Sequence, residues 1–191
     1  MEFKTLDYFF YQRDTVEVAR QLLGKIIVRK LNGKLLKGII TETEAYSSEN
    51  DPASHAFSGK TKRNEAMFGK SGFSYVYFIY GCHFCFNVVA HDEKTSSGAV
   101  LIRAVRPIEG VSAMKKLRNG QAMKNLTNGP GKFTQAFSIT KKHNQIDITK
   151  NKELYILDQK PISNSKILKT PRIGIKDGLD LLWRFLYKSS F

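Results

Sequence analysis

Asn32-Gly33 constrains the fold of this chain more than any other pair of its residues. Asparagine and glycine both tolerate a positive φ. The dipeptide therefore suits a two-residue type I′ turn, whose twist matches the strands on either side. The flanks agree. Residues 25–31 form an Ile- and Val-rich run, and residues 34–43 read as the returning strand, which delivers Glu44, Ala45 and Tyr46 at its far end. Residues 73–80 and 83–90 are expected to pair around Gly81, and residues 99–105 add a further strand. Strands that adjoin in sequence favour antiparallel pairing. The expected fold class is α+β: a mostly antiparallel, barrel-like curved sheet with peripheral helices.

The helices have local signals. Asp14-Thr15-Val16-Glu17 has the form of a capping box, and the helix it opens should run through Val18, Leu22 and Leu23 to a stop at Gly24. Asn64 is expected to cap a short helix ending at Gly69. Further helices are expected over residues 109–117 and 132–137, the second after the break Gly129-Pro130-Gly131. Short strands are expected at residues 154–157 and 173–175, with an apolar end around residues 181–187. No linker or internal repeat is visible, so residues 1–191 are taken as one domain.

Charge narrows the partners. The chain carries 31 Lys and Arg against 17 Asp and Glu, a net +14. Such an excess favours polyanions, because phosphates release condensed counterions when protein cations replace them. A generally solvated basic surface would give the same count. No apolar run approaches the ~20 residues of a membrane span. Residues 1–7 mix both charge signs and lack a signal-peptide stretch, so a cytosolic or nucleoid-associated protein is expected. Cys82 and Cys85 form a lone C-x-x-C inside a strand-like run. Residues three apart on a strand point to opposite faces and cannot share a metal. Buried free thiols are expected instead, with neither metal nor redox use.

Two stretches carry candidate chemistry. In Thr41-Glu42-Thr43-Glu44-Ala45-Tyr46, alternation places Glu42, Glu44 and Tyr46 on one face. Solvated carboxylates at a strand end would explain them without function. In the run from Phe73 to Gly81, the tyrosines at 75, 77 and 80 are uncomfortable as plain core, since each buried hydroxyl needs a partner. A tyrosine face can instead stack a nucleobase. Between the two lies a polar loop, residues 47–63; long ordered loops are more often functional than decorative.

Taken together, these stretches resemble the 3-methyladenine (alkyladenine) DNA glycosylase family. The matching residues are Glu42-Thr43-Glu44-Ala45-Tyr46, His55, Lys62-Arg63-Asn64 with Met67-Phe68, and Tyr75-Val76-Tyr77 through Ile79-Tyr80-Gly81. Asn87, Leu101-Ile102-Arg103-Ala104, Asn128-Gly129-Pro130 with Lys132, and Arg172-Ile173-Gly174-Ile175 continue it in order. The resemblance implies a monofunctional hydrolase that flips a damaged purine from double-stranded DNA and leaves an abasic site. Alkylated purines are the implied substrates; deaminated adenine, a neutral ring, is left open. The resemblance assigns water activation to Glu44, with Arg103 and the main-chain carbonyl of Ile173 helping to hold the water. It makes Tyr46, His55 and Tyr77 walls of the base pocket, and has Asn87 crowd the exocyclic amine of guanine. Tyr80 would fill the gap in the duplex. Lys62, Arg63 and Lys132 would grip phosphates. It implies no metal or organic cofactor and a monomer. Cys82 and His83 stand where the family often has larger apolar or aromatic residues. Cationic alkylpurines should gain about 0.5–2 kcal/mol from the electron-rich Tyr46 and Tyr77 faces beside a neutral His55. Tyr77 and Tyr80 fall on opposite faces of a straight strand, so the chain must bend at Tyr80-Gly81 for both to reach DNA. Two rival readings stay open: a non-catalytic nucleic-acid-binding protein using the same basic, aromatic face, and an RNA-processing or transfer enzyme on a related scaffold.

Overall fold

The computed structural model describes residues 4–188. Among them the chain forms eight β-strands and four α-helices. The helices are α1 (Tyr8–Tyr11), α2 (Thr15–Leu22), α3 (Val111–Leu117) and α4 (Pro130–Ala136). The strands are β1 (Ile26–Leu31), β2 (Lys34–Ser47), β3 (Ser74–Ile79), β4 (His83–Val89), β5 (Gly98–Glu109), β6 (Leu154–Leu157), β7 (Ile167–Thr170) and β8 (Arg184–Tyr187). They make one antiparallel sheet in the order β3-β4-β5-β2-β1-β6, curled into a half-barrel, with the β7-β8 hairpin attached through β8 to β2. The α+β class expected from sequence is the one observed.

The long strand β2 organises the sheet. Its first half pairs with β1 across the Asn32-Gly33 turn, where φ is 47° and 74° as a type I′ turn requires. Its second half lies between β5 and β8. Two irregularities meet there. Opposite β5, Thr41 is an extra residue between Ile40 and Glu42, and Arg103 is an extra residue between Ile102 and Ala104. Such bulges re-aim side chains, and here one delivers Arg103 to the two glutamates.

Alternation along the strands divides the sheet faces between two apolar clusters. Val76, Val88, Val100 and Ile102 join the main core with Val18, Ala19 and Leu22 of α2 and Phe133 and Ala136 of α4. The interleaved Tyr75, Val89 and Ala99 form a smaller cluster with Ala56, Ala66 and Met67. The candidate site lies over this second cluster.

Several local expectations need correction. Asp14 does cap α2, accepting from the Glu17 amide at 2.8 Å, but the Glu17 carboxylate turns to Arg20 and Gln21. The helix expected from residue 109 starts at Val111, because Glu109 still pairs with Lys37 on β2. The helix after Gly129 includes Pro130 at its first position, where a missing N–H costs nothing. Asn64 precedes a short 3-10 turn, Glu65–Phe68, without capping it through its side chain. Residues 173–175 are not a strand: Gly174 has φ +77° and the Ile173 amide bonds a side chain rather than a ladder. Cys85 is buried as expected, but Cys82 is exposed on the turn. Among the described residues no helix is long and apolar enough to cross a membrane.

Candidate active site

One transverse row of the sheet builds the floor. Glu44 pairs with Leu101, Leu101 with Asn87, and Asn87 with Tyr75, across β2, β5, β4 and β3. Directly opposed residues of antiparallel strands share a face, so all four side chains project the same way. The neighbouring rows bring Tyr77 opposite Cys85, and Tyr46 opposite Ala99. Above them lies a cavity of about 440 Å³, within the range of small-ligand sites. Tyr46, His55, Tyr77 and Asn87 line it, and Tyr80, Lys132 and Ile173 reach its margin.

Glu44 is completely enclosed, with a side-chain exposure of 0%. Its Oε2 accepts from Tyr46 Oη at 2.8 Å and Arg103 Nη1 at 3.2 Å, and its Oε1 accepts from the Ile173 amide at 2.8 Å. All three donors line the cavity, and Glu44 stands one layer behind them. The carboxylate is thus beside the aromatic cavity but screened, not poised openly over it. Ile173 contributes its main-chain amide to this arrangement. Glu42, on the same face, takes Arg103 Nε at 3.0 Å and Arg184 Nε at 2.6 Å and lies outside the cavity. Burial alone would lower the Arg103 pKa, yet Glu44 and Glu42 together raise it. Burial, and then the Glu44 charge, push the Tyr46 hydroxyl well up, so it stays a donor.

The aromatic wall is interlocked. His55 Nδ1 lies 3.0 Å from Tyr75 Oη, and its ring meets Tyr77 edge-on at 4.8 Å between centroids. Partial burial, then the nearby Arg63 cation, hold His55 below the usual imidazole value, which favours the neutral ring. Burial pushes the Tyr75 hydroxyl up to about 12. Tyr77 stands opposite Cys85, and burial raises both of these groups. Asn87 is buried, with Nδ2 donating to the Tyr75 carbonyl at 3.0 Å.

His55 is held by a braced loop rather than by a regular element. Asn64 Nδ2 donates to the His55 carbonyl at 2.6 Å and to the Gly59 carbonyl at 2.9 Å. Its Oδ1 accepts from the Thr61 amide at 2.6 Å. That service explains why Asn64 is not a helix cap. At the loop's other end, Asp51 accepts from the Ser47 and Ala53 amides and from Arg172.

Tyr80 is 81% exposed at the tip of the β3-β4 hairpin. It has φ +53°, Gly81 has φ +67°, and the Cys82 amide bonds the Ile79 carbonyl at 3.3 Å. The bend demanded by the positions of Tyr77 and Tyr80 is therefore a three-residue connection, Tyr80 to Cys82, whose first two residues both have positive φ. A non-glycine residue there is strained by roughly 1 kcal/mol or more. Strain kept on an exposed aromatic points to use outside the fold. Lys132 Nζ donates to Asn128 at 2.9 Å near the cavity margin; Lys62 and Arg63 are exposed on the loop beyond His55.

Sequence reasoning assigned no role in the site to four of its members. For Tyr75 and Cys85, a two-residue loop at Tyr80-Gly81 would pair Ile79 with Cys82; Ile79 instead pairs with His83, and this three-residue connection sets the register that puts Tyr77 opposite Cys85 and Tyr75 opposite Asn87. Asp51 and Arg172 meet across 121 residues of sequence, and no local signal announces that contact.

The family model described as methylpurine-DNA glycosylase (MPG) matches residues 9–191. Two relatives, both named "Putative 3-methyladenine DNA glycosylase", cover 95% of the chain and 94% of their own lengths. That of Carboxydothermus hydrogenoformans is 50% identical over 181 residues, and that of Clostridium botulinum strain Langeland 42% identical over 193 residues.

Proposed function

Because this chain belongs to the methylpurine-DNA glycosylase family, and so is a DNA glycosylase acting on alkylated bases in repair, we propose that it works on flipped nucleotides of duplex DNA with Glu44 as the base that activates water. The observation that carries this reading is the three-donor cradle around Glu44 immediately behind the aromatic cavity. A carboxylate offers about four lone-pair sites, and the three donors leave one on Oε1. A water held there would be deprotonated by Glu44 as it attacks C1′ of the sugar. The N-glycosidic bond breaks with its electrons on the departing purine, and the Glu44 charge stabilises the oxocarbenium-like sugar. The product is an abasic site. Ile173, about half exposed, is the least enclosed of the three covers, and a shift of its segment would admit water to the enclosed Oε1.

Tyr46, Tyr77 and His55 wall the flipped base, Asn87 bounds it at the floor, and Tyr80 occupies the gap left in the duplex. Extrusion costs a few kcal/mol, and a flat wedge slows its reversal. Lys62, Arg63 and Lys132 take phosphates, the protein acting as a monomer. A non-catalytic binder has no use for a buried carboxylate with three aligned donors behind its base pocket, and this favours the enzymatic reading over the rivals. Replacing Glu44 by Gln should reduce release of methylated purine from duplex DNA by at least about 1000-fold while lesion binding persists. Chromatography of the freed bases reads the result; release at the wild-type rate would remove Glu44 from the reaction.

A further inference from the structure

We infer that the Arg172–Asp51 ion pair is a positioning device that sets the Glu44 cradle and the back of the Tyr46 wall, a reading that rests on the function proposed above. Both side chains are 0% exposed. Arg172 Nη1 and Nη2 meet the two Asp51 oxygens at 2.7 Å each, in a bidentate pair. Nη1 also donates to the Ala45 carbonyl at 2.9 Å. Asp51 accepts in addition from the Ser47 amide at 3.1 Å and the Ala53 amide at 3.2 Å, which fills its four lone-pair sites.

These contacts weld three segments that have no ladder in common. They are the end of β2 next to Glu44 and Tyr46, the loop that leads to His55, and the irregular segment that carries Ile173. The residue after Arg172 is the one whose amide donates to Glu44. The guanidinium carbon lies 4.7 Å from the Tyr46 ring centroid and 5.4 Å from that of Trp183, on a side away from the cavity, which Arg172 does not line. One group therefore fixes the height of Tyr46 and the place of the Ile173 amide together. A buried ion pair contributes little net stability against an apolar replacement; its value is geometry. Only a planar fork can make the bidentate pair and the Ala45 bond at once, so lysine is no substitute.

Arg172→Lys should lower the single-turnover rate of base release by roughly 30- to 100-fold, the size of effect that ångström-scale misplacement produces. Affinity for lesion-containing DNA should change by less than about threefold, as Arg172 touches no DNA in this scheme. The near-isosteric Asp51→Asn should give the same split more mildly. A merely structural role would instead lower the amplitude of the reaction, and so the folded fraction, with the rate of the folded molecules intact. That outcome in either variant would overturn the inference. A measurement on the unaltered protein stands apart from any folding defect. The Ile173 amide should exchange at least about 100-fold more slowly than that of exposed Lys176; equal exchange would mean the clamp does not hold it. Wild-type protein that releases no base would count against the proposed function and leave the exchange result standing.

Discussion

Two glutamates two residues apart on β2 face the same way and end in different environments. Glu42 is shared by Arg103 and Arg184 at the sheet surface, whereas Glu44 accepts from one arginine, one phenol and one amide behind the cavity. The sequence places both on one face; what separates them is which neighbours the bulge at Arg103 and the 172–173 segment supply. The same is true of Tyr46. An electron-rich face for a cationic purine is a fair expectation from residue type, but Arg172 already occupies one side of this ring. Its quadrupole is partly spent on a resident cation, so in the pocket proposed here Tyr46 would discriminate by stacking and shape more than by charge. Tyr80 allows a sharper test. Its φ of +53° is one that asparagine adopts more readily than tyrosine, and its ring is mostly in solvent, so little burial is lost on replacement. Tyr80→Asn should therefore stabilise the protein by roughly 0.5–1 kcal/mol, a rise of about 1–4 °C in melting temperature. Base excision from duplex DNA should fall at the same time, with much less effect on single strands. Calorimetry and the two excision assays together separate a wedge from a structural tyrosine, for which stability and activity would move together.

At the scale of elements, the β3-β4 hairpin leans on a helix. A Cβ at Gly131 would lie 2.8 Å from His83 Cγ and 2.9 Å from its Cβ, so β4 and the first turn of α4 meet at a contact only glycine permits. Thr134 Oγ1 adds a bond to the Phe84 carbonyl at 2.9 Å. The family resemblance marks position 83 as a departure, and His83 is the side chain that packs on Gly131 of α4. In Gly131→Ala, helix propensity favours alanine by up to about 1 kcal/mol, while overpacking costs about 1–3 kcal/mol. The net should be a modest loss of stability and a several-fold loss of duplex excision as the tip is pushed outward. Adding His83→Gly removes the Cγ and Cβ contacts alike, so in that background the same alanine should become stabilising. A double-mutant cycle on melting temperature reads the sign change; additive effects would mean the contact is slack. Elements were legible where the chain's own pattern decides them. Asn32-Gly33, the Ile-Val run before it and the paired strands around Gly81 all declare themselves. The β7 strand does not, because Ile167–Thr170 is short, half exposed and paired only to β8 at the sheet margin. Residues 173–175 look like a strand by composition, yet the Ile173 amide serves Glu44 and Gly174 turns the chain. A tertiary contact overrides β-propensity there.

The whole molecule adds the long-range field. A net charge of +14 tells that polyanions are attracted, but not how many phosphates are held. Salt dependence separates the two. Each neutralised phosphate contributes about −0.9 to the slope of log K against log salt on duplex DNA. If Lys62, Arg63 and Lys132 are the phosphate ligands, the slope is about −2.7, and affinity drops about 40-fold between 50 and 200 mM salt. Neutralising any one of them should make the slope shallower by about 0.9 for damaged and undamaged duplexes alike, since phosphate contacts carry no lesion information. Glu44→Gln should leave the slope untouched. A slope that stays near −2.7 when Lys132 becomes glutamine would place the DNA backbone on another part of the basic surface, with the cavity approached from a different side. The proposal that Lys62, Arg63 and Lys132 take phosphates would then fail, independently of whether Glu44 is the base.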